Sequence, residues 1–331
     1  MTLLETPAGP AAETQITRER IAALAQSYGA AVILVILLVA GSIAFPTFLT
    51  ASNFANIATQ SSFLLIIAIG MTFVILTGGI DLSVGSMYAL GGVLAAYGST
   101  WGVFGTLALP LVVSAVIGAV QGALVAYAKM AAFIVTLAGL LGIRGLVYAI
   151  TDGGSKTPLI SDAATAGLGQ GGIAGLRWPV FIALAVLVIG SVLLARSRGG
   201  QAVLAVGGSE SAATLMGLPV ARVHFSVYVL SAMCAGFSGA LTAAYSSSGV
   251  PNVGVGLELS AISAVVIGGT LLTGGRGNLV GTLAGVLLLT VIQNLINQVG
   301  SLSSSVQAVV SGAFLAIVVI IQTVLARTQR L

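Results

Sequence analysis

The feature that most constrains this chain is a series of apolar stretches, each close to the length of a membrane-spanning helix. A helix needs about 20 mostly apolar residues to cross the hydrocarbon layer. Ten stretches approach this length, and they cover residues 28–45, 62–78, 83–98, 105–128, 132–151, 178–195, 223–245, 259–275, 278–297 and 305–326. Charged residues make up only 6% of the chain, against about 25% in a soluble domain. The sequence therefore predicts an all-α membrane protein of about ten transmembrane helices.

The two ends of the chain are predicted to lie outside the membrane. Residues 1–27 are polar to mildly amphipathic, contain two prolines and read as an N-terminal tail. Arg18 and Arg20 precede the first apolar run as in a signal peptide, but no clear cleavage site follows that run. We therefore interpret it as an uncleaved first span. Residues 28–326 then form a single transmembrane domain, and residues 327–331 form a short C-terminal tail.

The orientation follows from lysine and arginine, which favour the cytoplasmic side of a membrane. With a cytoplasmic N-terminus and ten spans, nine of these residues fall inside: Arg18, Arg20, Lys129, Arg196, Arg198, Arg222, Arg276, Arg327 and Arg330. Only Lys156 and Arg177 fall outside, and Arg144 lies within the fifth span. Both termini are therefore predicted to be cytoplasmic.

An internal repeat joins two distant parts of the chain. Residues 79–83 read Gly-Ile-Asp-Leu-Ser, and residues 256–260, at an offset of 177, read Gly-Leu-Glu-Leu-Ser. The glycine pairs at 91–92 and 268–269 share that offset. The repeat pairs the third span with the eighth, and five spans is an odd number, so the copies run in opposite directions. This pattern predicts two inverted-topology halves with a transport pathway between them, as in many transporters.

Four motifs in these segments resemble the ribose-type sugar permeases of ABC importers. They are Thr-Gly-Gly-Ile-Asp-Leu-Ser-Val-Gly-Ser at 77–86, Phe-Ile-Val-Thr-Leu-Ala-Gly at 133–139 with Arg-Gly at 144–145, Ala-Val-Gly-Gly-Ser-Glu-Ser-Ala-Ala at 205–213 with Gly217, and Ala-Val-Val-Ile-Gly-Gly at 264–269. The resemblance runs from about residue 30 to residue 325. The chain departs from the family at Ser209, where Asn is frequent, and at Met130 or Ala131, where Pro is frequent.

The resemblance implies a permease subunit of the bacterial cytoplasmic (inner) membrane, surrounded by lipid. It implies three protein partners: a separate ABC ATP-binding subunit, an extracytoplasmic solute-binding protein, and a second permease copy, either identical or a close paralogue. The solute is expected to be monosaccharide-like. No nucleic acid partner, cofactor or metal is expected, and the chain itself is not expected to be an enzyme.

The longest loop predicted to be cytoplasmic, residues 196–222, contains the pattern Glu-x-Ala-Ala-x-x-x-Gly at Glu210, Ala212, Ala213 and Gly217. In ABC permeases a similar pattern forms the coupling helix that contacts the ATPase, and the resemblance assigns that role to these four residues. Small alanines suit a helical knob, and Gly217 suits its C-terminal end. An ordinary surface helix is the alternative.

Six polar residues within or beside the spans are candidates for the translocation pathway: Asp81, Ser83, Gln121, Glu258, Gln293 and Asn294. The acidic residues, with Ser83 and Ser260, also suit capping of the short helices that follow them. The amides also suit hydrogen bonds between helices. For Arg144, pairing within the protein is favoured over solute contact, since a charge inside a span needs a partner or water.

Other functions were weighed against the importer. An ion-coupled secondary transporter would use Asp81, Glu258 or Arg144 for proton coupling. A passive channel would need no ATPase. A membrane-embedded enzyme would need convergent acid–base or metal-binding residues, and the single Cys and single His of the chain do not supply them.

Overall fold

The computed structural model describes residues 30–298, together with residues 306, 309, 312 and 313, which are helical. The N-terminal tail, most of the tenth predicted span and the C-terminal tail lie outside these described residues. The described chain is mainly α-helical, and its two strands, of two residues each, form a hairpin. The prediction of an all-α membrane protein is confirmed at this level.

Twelve α-helices, numbered in chain order, make up the described segment 30–298. They are α1 (Ala30–Ala44), α2 (Ala51–Leu76), α3 (Val84–Gly98), α4 (Gly102–Ala126), α5 (Ala132–Ile150), α6 (Ala163–Gln170), α7 (Trp178–Arg196), α8 (Arg198–Gly208), α9 (Glu210–Leu215), α10 (Val220–Ser246), α11 (Leu257–Ile267) and α12 (Leu279–Gln298). The strands β1 (Gly172–Ile173) and β2 (Leu176–Arg177) pair between α6 and α7.

Six helical segments of the described chain are long and apolar enough to cross a membrane, with α3 and α4 counted as one because a single 3-10 turn joins them. The other five are α2, α5, α7, α10 and α12, while α1 and α11 are shorter apolar helices. Hydropathy therefore located the apolar helices well, since each predicted span up to residue 297 overlaps one of them.

Two predicted boundaries are wrong. The second span was expected at 62–78, but α2 begins at Ala51 because Thr50 caps it and the polar residues 51–61 still form helix. The eighth span was expected at 259–275, but α11 ends at Ile267. Gly269 follows with φ at 91°, a left-handed conformation that glycine adopts without strain and that ends the helix.

The core forms around α2 and α10, which pack against each other and against most other helices. Small residues allow the backbones to approach closely, as expected for helices in lipid. A Cβ added at Gly91 on α3 would lie within 3.0 Å of the backbone of Gly236 on α10. A Cβ added at Gly268, at the end of α11, would likewise lie within 3.0 Å of the backbone of Gly281 on α12. These glycines fix how tightly the helices pack.

Candidate functional site

The segment 196–222 folds into two short helices that meet at Ser209. The C-terminal residue of α8 is Gly208, and Ser209 is extended, with φ at −164° and ψ at 110°. The Ser209 hydroxyl accepts a hydrogen bond from the backbone N–H of Ala212 at 3.3 Å, so Ser209 caps the N-terminus of α9. An Asn at this position would serve the same purpose.

Gly217 terminates α9, as the sequence predicted. It has φ at 77°, and its N–H donates to the carbonyl of Thr214 at 2.9 Å. The N–H of Leu218 donates to the carbonyl of Ala213 at 3.0 Å. These two bonds form a Schellman motif, in which glycine supplies the left-handed residue. The chain can therefore turn from α9 into α10 within a few residues.

The two sides of α9 differ in exposure. Ala213 is fully buried in the hydrophobic core, whereas Ala212 is exposed. At the end of the helix, Leu215 is 89% exposed and Met216 is 68% exposed. A shallow open depression beside them is lined by Glu210, Ser211, Thr214 and Leu215. An anchored helix with an apolar exposed tip can contact another protein.

Glu210, the first residue of α9, lies between two basic side chains. Its Oε1 lies 3.7 Å from Lys129 Nζ, in the turn between α4 and α5. Its Oε2 lies 3.9 Å from His224 Nε2, near the start of α10. The sequence assigned a role to Glu210 but did not predict these partners, because no local pattern links residues so far apart.

A buried polar cluster fills the break between α2 and α3. The Asp81 carboxylate is fully buried and accepts three hydrogen bonds. The Ser83 hydroxyl and the Ser83 N–H donate to Oδ1 at 2.6 and 2.9 Å, and the Ser231 hydroxyl of α10 donates to Oδ2 at 2.7 Å. Asp81 therefore ties the break to α10.

Gln121 of α4 completes this cluster. Its Oε1 lies 3.2 Å from the Ser83 hydroxyl. Its Nε2 is buried with no hydrogen-bond partner among the described residues, and it lies against Gly139 of α5, where an added Cβ would overlap it. The structure thus brings Asp81, Ser83 and Gln121 together inside the protein, away from its surface.

The expected capping roles are only partly correct. Ser83 occupies the N-cap position of α3 but makes no side-chain capping bond there. The N-cap of α11 is Gly256, again without a side-chain capping bond, and the Ser260 hydroxyl donates back to the Gly256 carbonyl at 3.4 Å. Of the four residues expected to cap these helices, Asp81 alone accepts a hydrogen bond from a backbone N–H at a helix start, that of Ser83.

Glu258 lies in the first turn of α11, next to the start of α3. A Cβ added at Gly85 would lie within 3.0 Å of both the Glu258 Oε2 and the Gly254 carbonyl oxygen. Glu258 is half-buried and, within the described chain, forms no hydrogen bond or ion pair. The two starts of the repeat-related helices therefore meet, with a carboxylate at their contact.

Arg144 of α5 stabilises the loop that leads into α11. Its Nη1 donates to the carbonyls of Pro251 and Val253 at 3.1 and 2.8 Å. The prediction of pairing within the protein is confirmed, with backbone carbonyls as the partners. These bonds hold the chain immediately before Gly254.

The amides of α12 join that helix to the start of α2. Asn294 and Asn53 exchange two hydrogen bonds, at 2.8 and 3.2 Å, and Gln298 Nε2 donates to Asn294 Oδ1 at 2.9 Å. Asn294 thus acts between helices, and Asn53 was missed because it lies in a stretch too polar to be assigned to a span. Gln293 is half-buried and lies outside this network.

Within the described residues, no group of three or more His, Cys, Asp or Glu side chains could hold a metal ion. The buried cluster around Asp81 and the network around Asn294 consist of hydroxyls, amides and one carboxylate. Such groups suit hydrogen bonding to a neutral solute or between helices.

Residues 53–321 match a family described as "Branched-chain amino acid transport system / permease component". The chain is 39% identical to the ribose import permease protein RbsC of Escherichia coli K12, over 87% of this chain and 91% of that protein. It is 40% identical to RbsC of Bacillus subtilis strain 168, over 93% and 96%. The inner membrane ABC transporter permease protein YjfF of E. coli K12 is 41% identical, over 84% and 86%.

The chain belongs to this family of ABC transporter permeases. The recognition of a ribose-type permease from its motifs is therefore confirmed. The permease is a multi-pass protein of the inner membrane and a transport subunit rather than an enzyme. Membership in an ABC permease family also implies an ATP-binding subunit and a binding protein as partners. No solved structure matches the chain significantly.

Proposed function

We propose that this permease is the membrane subunit of an ATP-driven importer that translocates a monosaccharide-like solute delivered by an extracytoplasmic binding protein. The observation that carries the proposal is the similarity, over nearly the whole chain, to ribose import permeases from two distant bacteria. A permease of Azospirillum brasilense named for L-arabinose is 37% identical over 80% of this chain. Pentoses are therefore the first solutes to test.

The test is uptake of labelled ribose and arabinose by liposomes that contain the permease, its ATP-binding subunit and its binding protein. We expect uphill uptake that requires ATP. A matched preparation carries an ATP-binding subunit unable to hydrolyse ATP and should show no uphill uptake. Uptake by the permease alone under an ion gradient would instead support the secondary transporter, and exclusively downhill flux would support a channel.

We further propose ten spans in two inverted halves, with both termini cytoplasmic, tails at 1–27 and 327–331, and one permease domain at 28–326. Helix packing supports the repeat. α3 and α4 pack against α10, and their proposed counterparts α11 and α12 pack against α2. α3 also packs against α4, as α11 does against α12. An inverted repeat relates these pairs by a two-fold axis between α2 and α10.

The contact between the starts of α3 and α11 is the proposed midpoint of the pathway. α3 has 15 residues and is about 22 Å long, and α11 has 11 residues and is about 16 Å long. Each is shorter than the roughly 30 Å hydrocarbon layer. Two short helices that begin at the same depth and run in opposite directions place their starts near the middle of the membrane.

Among the six candidate pathway residues, Glu258 best suits solute contact. Its neighbours Val255 and Leu259 are 78% and 53% exposed, so this face of α11 is open in the described chain. A carboxylate at mid-depth is costly against lipid and needs a wet cavity or a protein partner. Asp81, Ser83 and Gln121 are instead proposed to stabilise the break before α3, and Asn294 to join α12 to α2. Gln293 remains a pathway candidate.

The segment 196–222 is the proposed coupling loop, with Glu210, Ala212, Ala213 and Gly217 in the helix that contacts the ATPase. The buried Ala213 anchors α9, and the exposed Leu215 and Met216 provide the contact surface. A second permease copy, identical or a close paralogue, is proposed to complete the pore. Cysteine cross-linking between copies in membranes, with the native Cys234 replaced by Ala, tests this assembly.

A further inference from the structure

The Glu210 carboxylate connects α9 to two separate parts of the membrane domain. One oxygen faces Lys129 at 3.7 Å, and the other faces His224 at 3.9 Å. Lys129 lies only three residues before α5 begins, and His224 is the fifth residue of α10. Within the described chain, the Lys129 contact is the ion pair that reaches α9, and the His224 contact becomes a second one only when the imidazole is protonated.

Lys129 adopts a backbone conformation that a lysine rarely takes. Its φ is 56°, in the left-handed region that glycine adopts without strain. The turn is held on both sides, since Ala128 N donates to the Ala123 carbonyl at 3.2 Å and Met130 N donates to the Leu124 carbonyl at 3.1 Å. A glycine would fit this turn better than lysine does, so the backbone gives no reason for a lysine here.

His224 contacts Glu210 from a more enclosed position. Its side chain is 14% exposed, whereas the Glu210 side chain is 57% exposed. Its Nδ1 is buried with no hydrogen-bond partner among the described residues. The imidazole is therefore fixed by packing, with Nε2 directed toward the carboxylate, and it supplies the rigid side of the contact.

We propose that Lys129 and His224 are positioning residues that transmit movement of α9 to the starts of α5 and α10. This assignment rests on the proposed role of α9 in coupling to the ATPase. An exposed ion pair contributes little to stability, but it resists separation of the two elements that it joins. When the ATPase displaces α9, Glu210 carries the turn at Lys129 and the start of α10 with it.

The test compares Lys129→Gly with Lys129→Arg in the reconstituted complex. Lys129→Gly removes the charge and suits the left-handed turn, so the variant should assemble with the ATPase and unfold no earlier than the wild type. We expect its ribose uptake per ATP hydrolysed to fall about two- to fivefold, the range that an exposed ion pair supports. Lys129→Arg keeps the charge, so its ribose uptake per ATP hydrolysed should equal that of the wild type.

A second readout does not depend on solute. Spin labels on cysteines at Leu215 and Ile134, both exposed, report the distance between α9 and the start of α5. The distance should change less on addition of ATP in wild type than in Lys129→Gly, because the two elements move together in wild type. His224 joins α9 to α10 rather than to α5, so a His224→Phe variant should instead lower the uptake of ribose per ATP hydrolysed.

An unchanged ratio of uptake to ATP hydrolysis in Lys129→Gly, with an unchanged distance, would overturn the assignment and leave the proposed function standing. Failure of Lys129→Arg to restore the ratio would also overturn it. If the wild-type permease assembled with no ATPase, the proposed function would fail, and this assignment would fail with it.

Discussion

Gly85 provides a stringent test of the contact between the starts of α3 and α11. Substitution with alanine would place a Cβ within 3.0 Å of the Glu258 Oε2 and the Gly254 carbonyl oxygen. The Glu258 side chain can move, but Gly254 follows Val253, whose carbonyl is bonded to Arg144 at 2.8 Å. The backbone on that side is therefore restrained, and the added methyl group has little space.

The expected cost is the difference between two effects. Overpacking against restrained backbone costs about 1–3 kcal/mol. Replacing a helical glycine with alanine stabilises the folded state by about 0.5–1 kcal/mol. Gly85→Ala should therefore destabilise the permease by roughly 0–2.5 kcal/mol, about 1 kcal/mol in the middle of that range. It should also lower uptake, because the displaced element carries the carboxylate of Glu258.

The matched control is Gly167→Ala on α6, where an added Cβ meets no atom within 4 Å. It should leave the permease as stable as the wild type, or stabilise it by up to about 1 kcal/mol. The single thiol, Cys234, is buried, so a thiol-reactive fluorescent dye reports unfolding in detergent. Equal or greater stability of Gly85→Ala relative to Gly167→Ala would refute the close contact.

Three further predictions follow from individual hydrogen bonds. Asp81→Ala should destabilise the permease by about 2–4 kcal/mol, because it leaves the buried Ser231 hydroxyl and the Ser83 N–H without their acceptor, and Asp81→Asn should cost less. Dye labelling of the unfolding thiol measures both variants, and an Asp81→Ala variant as stable as the wild type would contradict the buried cluster. Ser209→Ala should weaken binding of the ATPase in pull-down, while Ser209→Asn should retain it, since Asn caps a helix as Ser does. Equal binding by both variants would show that the cap at Ser209 does not contribute to ATPase binding. Hydrogen bonds from the Thr165 hydroxyl and N–H lower the pKa of Asp162 below its ordinary value of 3.8. The Asp162 carboxylate therefore stabilises α6 fully above about pH 4, and α6 should lose part of its hydrogen-exchange protection as the pH falls through the lowered pKa. Asp162→Ala should show no such pH dependence, and a wild-type α6 insensitive to acid would exclude this cap.

Parts of the candidate site could be predicted because they depend on local chain conformation. Gly217 ends α9 through a left-handed residue, and a glycine after an alanine-rich segment predicts that ending. Arg144 was predicted to pair within the protein, since a charge inside an apolar stretch needs partners. Neither prediction required knowledge of which segments lie nearby.

The remaining roles depend on contacts between distant residues. Asp81 and Glu258 occupy equivalent positions in the repeat and read alike in the sequence. The fold buries Asp81 under Ser83 and Ser231 and leaves Glu258 half-exposed with no hydrogen bond or ion pair in the described chain. Likewise, Lys129 and His224 became relevant only when packing placed both beside Glu210.

The sequence by itself determined that the protein lies in the lipid bilayer and that its fold is helical. Long apolar stretches with so few charges cannot remain in water, and in lipid they form helices. The sequence also determined the family, through motifs that keep their order along the chain. The tertiary structure decided which repeat-related acid is enclosed and where α11 stops. These outcomes depend on which backbones are in contact. A glycine in the sequence permits a close approach, but it does not specify which helix will pack there.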